Sequence, residues 1–423
     1  VDDPNCSLQV DGYALRAAQE SIIDANIAAT GVNLAALNLY QKNADKNLTF
    51  EANVSFTGDK PDNANGALLV KDFAFVNAEG EGLRLESLQI DAKNDSVPQR
   101  ITLASDFFNG TIEGSYDFMH VVPTLQNILS QALPALVSKC PESPEQLRAN
   151  DFTFDFELEP CEDLVSLLKL PVNIVYTTTI KGYVNERDES FGVDISAPYL
   201  QQGNKIIEST SVTARKLPEK KDVELLASTI FPVKKGKTVV TVEGKGVDDT
   251  VDLDLAWKIL TDRDYKGKLS LTSRFFRNVD DKVAVNVDVN PTELVFNDTI
   301  WQVKPGQVQY DGGIIAVRNL QGISGEQSVL IDGIVSKNQE DVLKVELNEL
   351  SLDYIFETLA IDNVMFGGTA TGKFYASNLL SGAPILETPN LHVENIAYNK
   401  CRMGNADIKS NWDNETKGIN LYA

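Results

Sequence analysis

Successive side chains leave a β-strand on opposite faces, so a chain that alternates apolar with polar residues can gather its apolar side chains only as strands with one apolar face. This chain alternates again and again. Leu48, Phe50, Ala52, Val54 and Phe56 are interleaved with Asn47, Thr49, Glu51, Asn53 and Ser55. Phe152, Phe154, Phe156 and Leu158 are interleaved with Thr153, Asp155, Glu157 and Glu159. The same period runs through Ile174, Tyr176, Thr178 and Ile180, through Val251, Leu253, Leu255 and Trp257, and through Val283, Val285, Val287 and Val289. Turn signals punctuate the runs at Gly58-Asp59, Asn65-Gly66, Glu79 to Gly82, Asn109-Gly110, Asp311 to Gly313 and Ser381-Gly382. At about 8–12 residues per strand and turn, 423 residues hold several tens of strands, more than a closed barrel usually takes. The expected fold is mainly all-β. It is an elongated, twisted antiparallel sheet with an apolar inner face, growing ~4.8 Å per strand and coiled by its own twist. Such a face needs a cover: its own curvature, a partner or a ligand.

Helical periodicity is scarce. Residues 124–137 carry Leu125, Ile128, Leu129, Ala132, Leu133 and Leu136 at helical spacing, with Pro123 at the first turn and Pro134 inside. This expected helix could cap or gate the apolar face. Residues 163–169, closed by Pro171, form a second candidate and residues 353–360 a third. Residues 13–29 read either as a helix or as a pair of strands. The linker 141–150, with two prolines and mixed charges, is the best boundary. It divides a first β segment, 1–140, ending in a short helix, from a continuing β segment, 141–423. Val1 is not a methionine, and Leu421 and Tyr422 stop inside a strand pattern. The chain therefore reads as a piece excised from a longer protein.

Composition narrows the function. The 38 basic residues stand against 61 acidic ones, a formal charge of -23. Such a surface repels phosphate backbones, so nucleic acid is not an expected partner. No G-x-S-x-G, H-E-x-x-H or P-loop occurs, and no catalytic residue, enzyme activity or cofactor is expected. The four cysteines form no CxxC pair, and His120 and His392 complete no zinc spacing, so no metal is expected either. Cys140 and Cys161 could bridge in an oxidising compartment. The acidic run Asp248, Asp249, Asp252 and Asp254 lacks the spacing of a calcium loop and reads as a solvated face. The lysines at 216, 220, 221, 234, 235 and 237 are interleaved with acids and read as solvated turns. Sequons at Asn47, Asn53, Asn109 and Asn297 matter only in a eukaryotic secretory protein and read as incidental.

Several segments occur in a suggestive order. Upstream stand Gly66 to Phe73 (GALLVKDF) and then Leu83, Leu85, Leu88 and Ile90. Ser105 to Phe118 reads SDFFNGTIEGSYDF and leads into the 124–137 helix. Downstream come Trp301 to Gly306 (WQVKPG), Gly325 to Gly333 (GEQSVLIDG) and Gly368 to Phe374 (GTATGKF). This succession resembles the AsmA-like superfamily, and in particular the large TamB-type translocation and assembly proteins of Gram-negative bacteria. The resemblance spans nearly the whole chain and is weakest over the first forty residues. It implies a taco-like β-groove in the periplasm, anchored by an inner-membrane helix outside this piece. A missing C-terminal region would reach an outer-membrane assembly partner of the BamA/TamA type. The implied role is phospholipid transport between the two membranes and outer-membrane biogenesis, with phospholipid acyl chains as the ligand. On this reading the groove is lined by Phe50, Val54, Phe56, Leu83, Leu85, Phe152, Phe154, Phe156, Ile174, Tyr176, Leu253, Leu255, Trp257, Val283, Val285 and Val287. The alternative role is a scaffold that assists outer-membrane β-barrel assembly or secretion.

Overall fold

The computed structural model describes residues 2–16, 21–141, 143, 148–233, 236–261, 264–352, 366–381, 384–398, 401–413 and 418–422. The chain is nearly all antiparallel β-sheet, as the alternation requires. It divides into two compact units. One comprises residues 1–131 and 139–231, the other residues 132–138 and 232–423. The linker 141–150 lies inside the first unit, and the candidate helix 353–360 falls outside the described residues.

The first unit begins with β1 (Asp2–Asp3), β2 (Cys6–Arg16), β3 (Ser21–Val32), β4 (Asn47–Thr57), β5 (Asn65–Val76), β6 (Gly82–Lys93), β7 (Gln99–Ser105) and β8 (Phe108–Ser115). After α1 (Val121–Ser130) come β9 (Asp151–Leu158), α2 (Glu162–Leu168), β10 (Asn173–Ile174), β11 (Thr178–Asn185), β12 (Ser190–Gln202), β13 (Lys205–Lys216) and β14 (Val223–Val233). From β1 to β13 each strand pairs with the next in the chain, β8 meeting β9 across α1, except that β9 meets β11 across α2 and β10, and the short β10 pairs with β12. Residues 13–16 and 21–29 thus lie in the antiparallel strands β2 and β3. The run from Ile174 to Ile180 is split: β10 ends at Ile174, and Ile180 lies in β11. Asn65-Gly66 and Asn109-Gly110 stand inside β5 and β8 rather than at turns. Helix α1 is shorter than its apolar spacing suggests. Pro134 offers no amide and crowds the carbonyl of residue 130, and the helix ends there.

The second unit holds β15 (Gly236–Val247), β16 (Thr250–Leu260), β17 (Tyr265–Arg277), β18 (Val283–Val289), β19 (Thr292–Phe296), β20 (Thr299–Val303), β21 (Gly306–Asp311) and β22 (Ile314–Ser324). It continues through β23 (Gln327–Val335), β24 (Val342–Ser351), β25 (Phe366–Ser377), β26 (Ile385–Tyr398), β27 (Cys401–Asp413) and β28 (Gly418–Tyr422). Between β17 and β22 the space is filled twice over. Strands β18 and β21 occupy one half of its length, and the β19–β20 hairpin the other.

One local device recurs on alternate strands. Gly31 in β3, Asp72 in β5, Asn319 in β22, Glu349 in β24 and Asn395 in β26 all have left-handed backbone, with φ from 47° to 64°. Each lies within an apolar–polar–αL–apolar tetrad: Ala29 to Val32, Val70 to Phe73, Val317 to Leu320, Leu347 to Leu350 and Val393 to Ile396. The pairing shifts register at each. The extra residue restores the facing of the rest of the strand. Strand β4 shows it: Ala52 and Leu48, on one face, meet Val70 on one side of Asp72 and Phe75 on the other. At four of them the freed amide donates to a side-chain acceptor on the neighbouring strand. Gly31 N–H donates to Thr49 Oγ1 at 3.1 Å, Asn319 to Asp332 Oδ2, Glu349 to Thr371 Oγ1 and Asn395 to Asn405 Oδ1, the last three each at 3.0 Å.

Because Asn319 is exposed, its replacement tests the backbone demand with little else disturbed. Asn319→Val should cost about 1–2 kcal/mol in urea unfolding, the penalty for a branched residue in αL. Asn319→Gly should leave stability unchanged or slightly raised.

Candidate functional site

Antiparallel partners share a face, so the register can be followed from strand to strand. In the first unit one row runs Gly12, Ala25, Val54, Leu68, Ile90, Leu103, Gly110, Phe156, Ile180, Ile195, Val212 and Ala227, twelve strands from β2 to β14. A second row beside it runs Ala14, Ile23, Phe56, Gly66, Ala92, Ile101, Ile112, Phe154, Gly182, Val193, Ala214 and Leu225. Every residue of both rows is apolar. Eleven interstrand steps of ~4.8 Å make each row about 50 Å long. Most of their side chains are only half-buried. The residues between the rows point the other way. They run Tyr13, Asp24, Ser55, Ala67, Asp91, Thr102, Thr111, Asp155, Lys181, Asp194, Thr213 and Leu226.

The two helices lie at opposite ends of the strands. Helix α1 closes the end where Ala92, Ile101, Tyr116, Phe152, Val184 and Phe191 are buried, and it packs there through Val121, Leu125, Ile128 and Leu129. Helix α2 follows the far end of β9 and packs against β6 and β10, where Leu83 and Leu85 are buried. At that same margin Leu34 lies with Leu48 and Phe50 against Cys6, Ala29 and Val32. Aromatic rings line β9 from one margin towards the other. Phe152 meets Phe154 at 6.3 Å, Phe154 meets Phe156 at 5.5 Å, and Phe156 meets Phe108 at 5.3 Å between centroids.

A buried polar network holds the start of α1. Asp117 N–H donates to Asn150 Oδ1 at 2.8 Å, and Asn150 Nδ2 donates to Thr124 Oγ1 at 3.0 Å. Phe118 N–H donates to Asp62 Oδ1 at 2.8 Å, and His120 Nδ1 lies 2.8 Å from Asp117 Oδ1. Tyr116 is fully buried and its hydroxyl donates to Asn94 Oδ1. Burial pushes its phenol up to about 12, against a partial offset from Arg148.

The second unit repeats the arrangement. One row runs Gly246, Val251, Ser273, Val287, Val308, Val317, Gly333, Leu343, Ala376 and Leu386, ten strands with a single polar member. Another runs Val303, Gly322, Val329, Leu347, Gly372, Leu391 and Ile408. Leu133 lies over Gly246. Glycines open room for rings on these floors. Trp257 lies over Gly267, Trp301 over Gly322, and in the first unit Phe156 over Gly110 and Phe154 over Gly182.

The opposite face is tied by polar ladders. Asp252 accepts from Thr272 Oγ1 at 2.8 Å, and Asp254 lies 2.9 Å from Lys268 Nζ. The hydroxyl of Ser270 and the Lys268 ammonium hold the Asp254 carboxyl below its ordinary value. Asp249 Oδ1 accepts from Ala135 N–H at 2.7 Å. The acidic run is thus spent on cross-strand and loop contacts.

Most of the expected groove residues lie on the apolar face. Val54, Phe56, Phe154 and Phe156 belong to the two long rows, Phe152 lies beneath α1, and Phe50, Leu83 and Leu85 lie at the α2 margin. Ile174 is opposite Leu200. Leu253, Leu255 and Trp257 face Leu271, Leu269 and Gly267, and Val283, Val285 and Val287 face Arg277, Phe275 and Ser273. Tyr176 stands apart: it is 60% exposed and its ring meets Tyr199 at 5.2 Å. The Cys140–Cys161 bridge is corrected, since all four cysteines are free. Cys140 donates to Gln126 Oε1 of α1, whereas Cys161 caps α2 beyond the far end of β9. Eight extended residues at ~3.3 Å each separate two margins that a disulfide, spanning less than ~7 Å between Cα atoms, would have to join.

Ile101, Ile112, Ile195, Val212 and the glycines of the rows escaped sequence reasoning. Their signal is cross-strand register, which a linear pattern does not carry. No helix among the described residues is long and apolar enough to cross a membrane. Comparison with family models, curated proteins and solved structures found no match to this chain.

The raised Tyr116 phenol predicts an alkaline transition. Its folded-state value lies above the unfolded one, so its contribution is complete below pH 10 and is lost as pH rises towards about 12. Urea unfolding between those limits should show wild type losing stability more steeply than Tyr116→Phe. Parallel curves would mean that the phenol is not perturbed.

Proposed function

We propose that the apolar face carries lipid acyl chains. In this reading the chain is part of a periplasmic β-groove that moves phospholipid between the inner and outer membranes and supports outer-membrane biogenesis. Kinship with the TamB-type proteins, an inner-membrane anchor and an outer-membrane assembly partner belong to the same proposal. The observation that carries it is the pair of wholly apolar rows across twelve strands, most of whose side chains are half-buried. An acyl chain gains about 0.8 kcal/mol per buried CH₂ and asks for no polar partner. A floor of Val, Ile, Leu, Phe, Ala and Gly suits it. A row that crosses strands repeats one weak site at every step, which favours movement over capture. A charge of -23 fits head groups left in solvent rather than clamped by basic residues.

The test is lipid extraction and mass spectrometry on gently purified protein. Phospholipid should accompany wild type and the opposite-face variants Thr153→Asp and Asn286→Asp. It should fall at least tenfold in a folded Val54→Asp/Phe154→Asp/Val285→Asp variant, because an unpaired carboxylate on an apolar floor costs more than the ~1.4 kcal/mol that a tenfold loss requires. Equal retention on both faces sinks the reading.

A second reading uses backbone instead of face. Among the described residues, residues 9–16 of β2 pair with β3 alone, and Val10, Tyr13 and Leu15 are each more than half exposed. An edge of that kind accepts an added strand. This favours a scaffold for outer-membrane β-barrel clients. Prolines at Gln9 and Asp11 should then abolish client binding, measured by crosslinking to an unfolded barrel protein, and leave lipid content unchanged. Client binding that survives the prolines removes this alternative.

A further inference from the structure

We infer that α1 is a fixed side wall that confines the acyl chain to the row through Phe156, an inference that rests on the acyl-chain reading above. The packing beneath α1 leaves no room for a ligand. Ala92, Ile101, Phe152, Val184 and Phe191 are each less than a tenth exposed, and Ile128 of the helix is 2% exposed. The helix is held at both ends. Its start is bound by the Asp117–Asn150–Thr124 network. Near its end Asn127 Oδ1 accepts from Cys140 N–H at 2.7 Å, and Gln126 Oε1 accepts from Cys140 Sγ at 2.8 Å. A gate would need one end free, and both ends of α1 are fastened through buried or paired groups.

The row through Phe156 runs past this wall. Val54, Leu68, Ile90, Leu103, Phe156 and Ile180 keep intermediate exposure, while the strand ends on either side are buried under α1 or next to α2. Two covered margins with an apolar strip between them make a channel whose direction is across the strands. A chain lying along a strand would run into α1. The wall residues Leu125, Ile128 and Leu129 therefore set where the ligand lies and which way it is oriented.

The test is photolabelling with vesicles of phosphatidylcholine carrying a diazirine on the acyl chain, followed by peptide mass spectrometry. Adducts should fall on Leu103, Phe156 and Ile180. Val184 and Phe191 should be labelled at least tenfold less. In a folded Leu125→Ala/Ile128→Ala variant, labelling should spread to Val184 and Phe191. Asn150→Ala, which loosens the anchor without emptying the core, should produce the same spread. Equal labelling of Phe191 and Phe156 in wild type would overturn the wall and leave the acyl-chain reading standing. So would an unchanged pattern in both variants. No adduct anywhere on the apolar face would overturn the wall and the acyl-chain reading together.

Discussion

Cross-strand register is the constraint on which the rest of the molecule depends. A strand that slips by one residue turns its whole apolar set to the other side. An apolar row across twelve strands therefore requires eleven registers to agree. Each agreement is a local matter of turn length and pairing. Their accumulation creates a surface of a kind that no single strand or hairpin possesses. The helices take their places from the same geometry, since the ends of aligned strands offer two margins on which an apolar helix can rest.

Perfect pleating would not keep such a surface over long strands, because the sheet twists and coils as it grows. The αL residues at Gly31, Asp72, Asn319, Glu349 and Asn395 reconcile the two demands. Each inserts one residue, bends the strand and returns the apolar set to the same side. At Asn319, Glu349 and Asn395 the strained residue is not glycine, yet its freed amide finds a side-chain acceptor on the next strand. The hydrogen bond offsets part of the cost of the conformation. Glycines serve the floor differently. At Gly110, Gly182, Gly267 and Gly322 the missing side chain is replaced by a ring from the adjacent strand. The floor thus stays level where a second bulky residue would raise it.

This division of labour explains which features were legible in the sequence. Uninterrupted alternation, as in Phe152 to Leu158 and Val283 to Val289, translated directly into β9 and β18. The residues expected from those runs to line a groove lie on the apolar face. Alternation interrupted by an αL residue hid its continuity, because Val70-Lys71-Asp72-Phe73 looks like the end of a pattern rather than its correction. Asn109-Gly110 carries turn chemistry but stands in β8, since Gly110 is there to make room for Phe156. The apolar spacing of residues 124–137 was genuine, yet Pro134 ends α1 and the later leucines serve the second unit. Tyr176 kept the period of its run across a break in the strand, and the break put it in solvent. Local pattern predicts elements well, while joining them needs register, which is a property of pairs.

The charge distribution arises from the same two-sidedness. Acidic residues cannot stand on a floor without partners, so they collect on the opposite face and in the loops, where Thr272, Ser270, Lys268 and backbone amides receive them. The two faces of one strand then differ in what they can recognise. The polar face can discriminate by hydrogen bonds. The apolar face can discriminate only by shape and by the absence of charge. A ligand held on the proposed terms is selected for its hydrocarbon, not for its head group. Selectivity on such a floor must come from its margins, and those margins are where α1 and α2 lie.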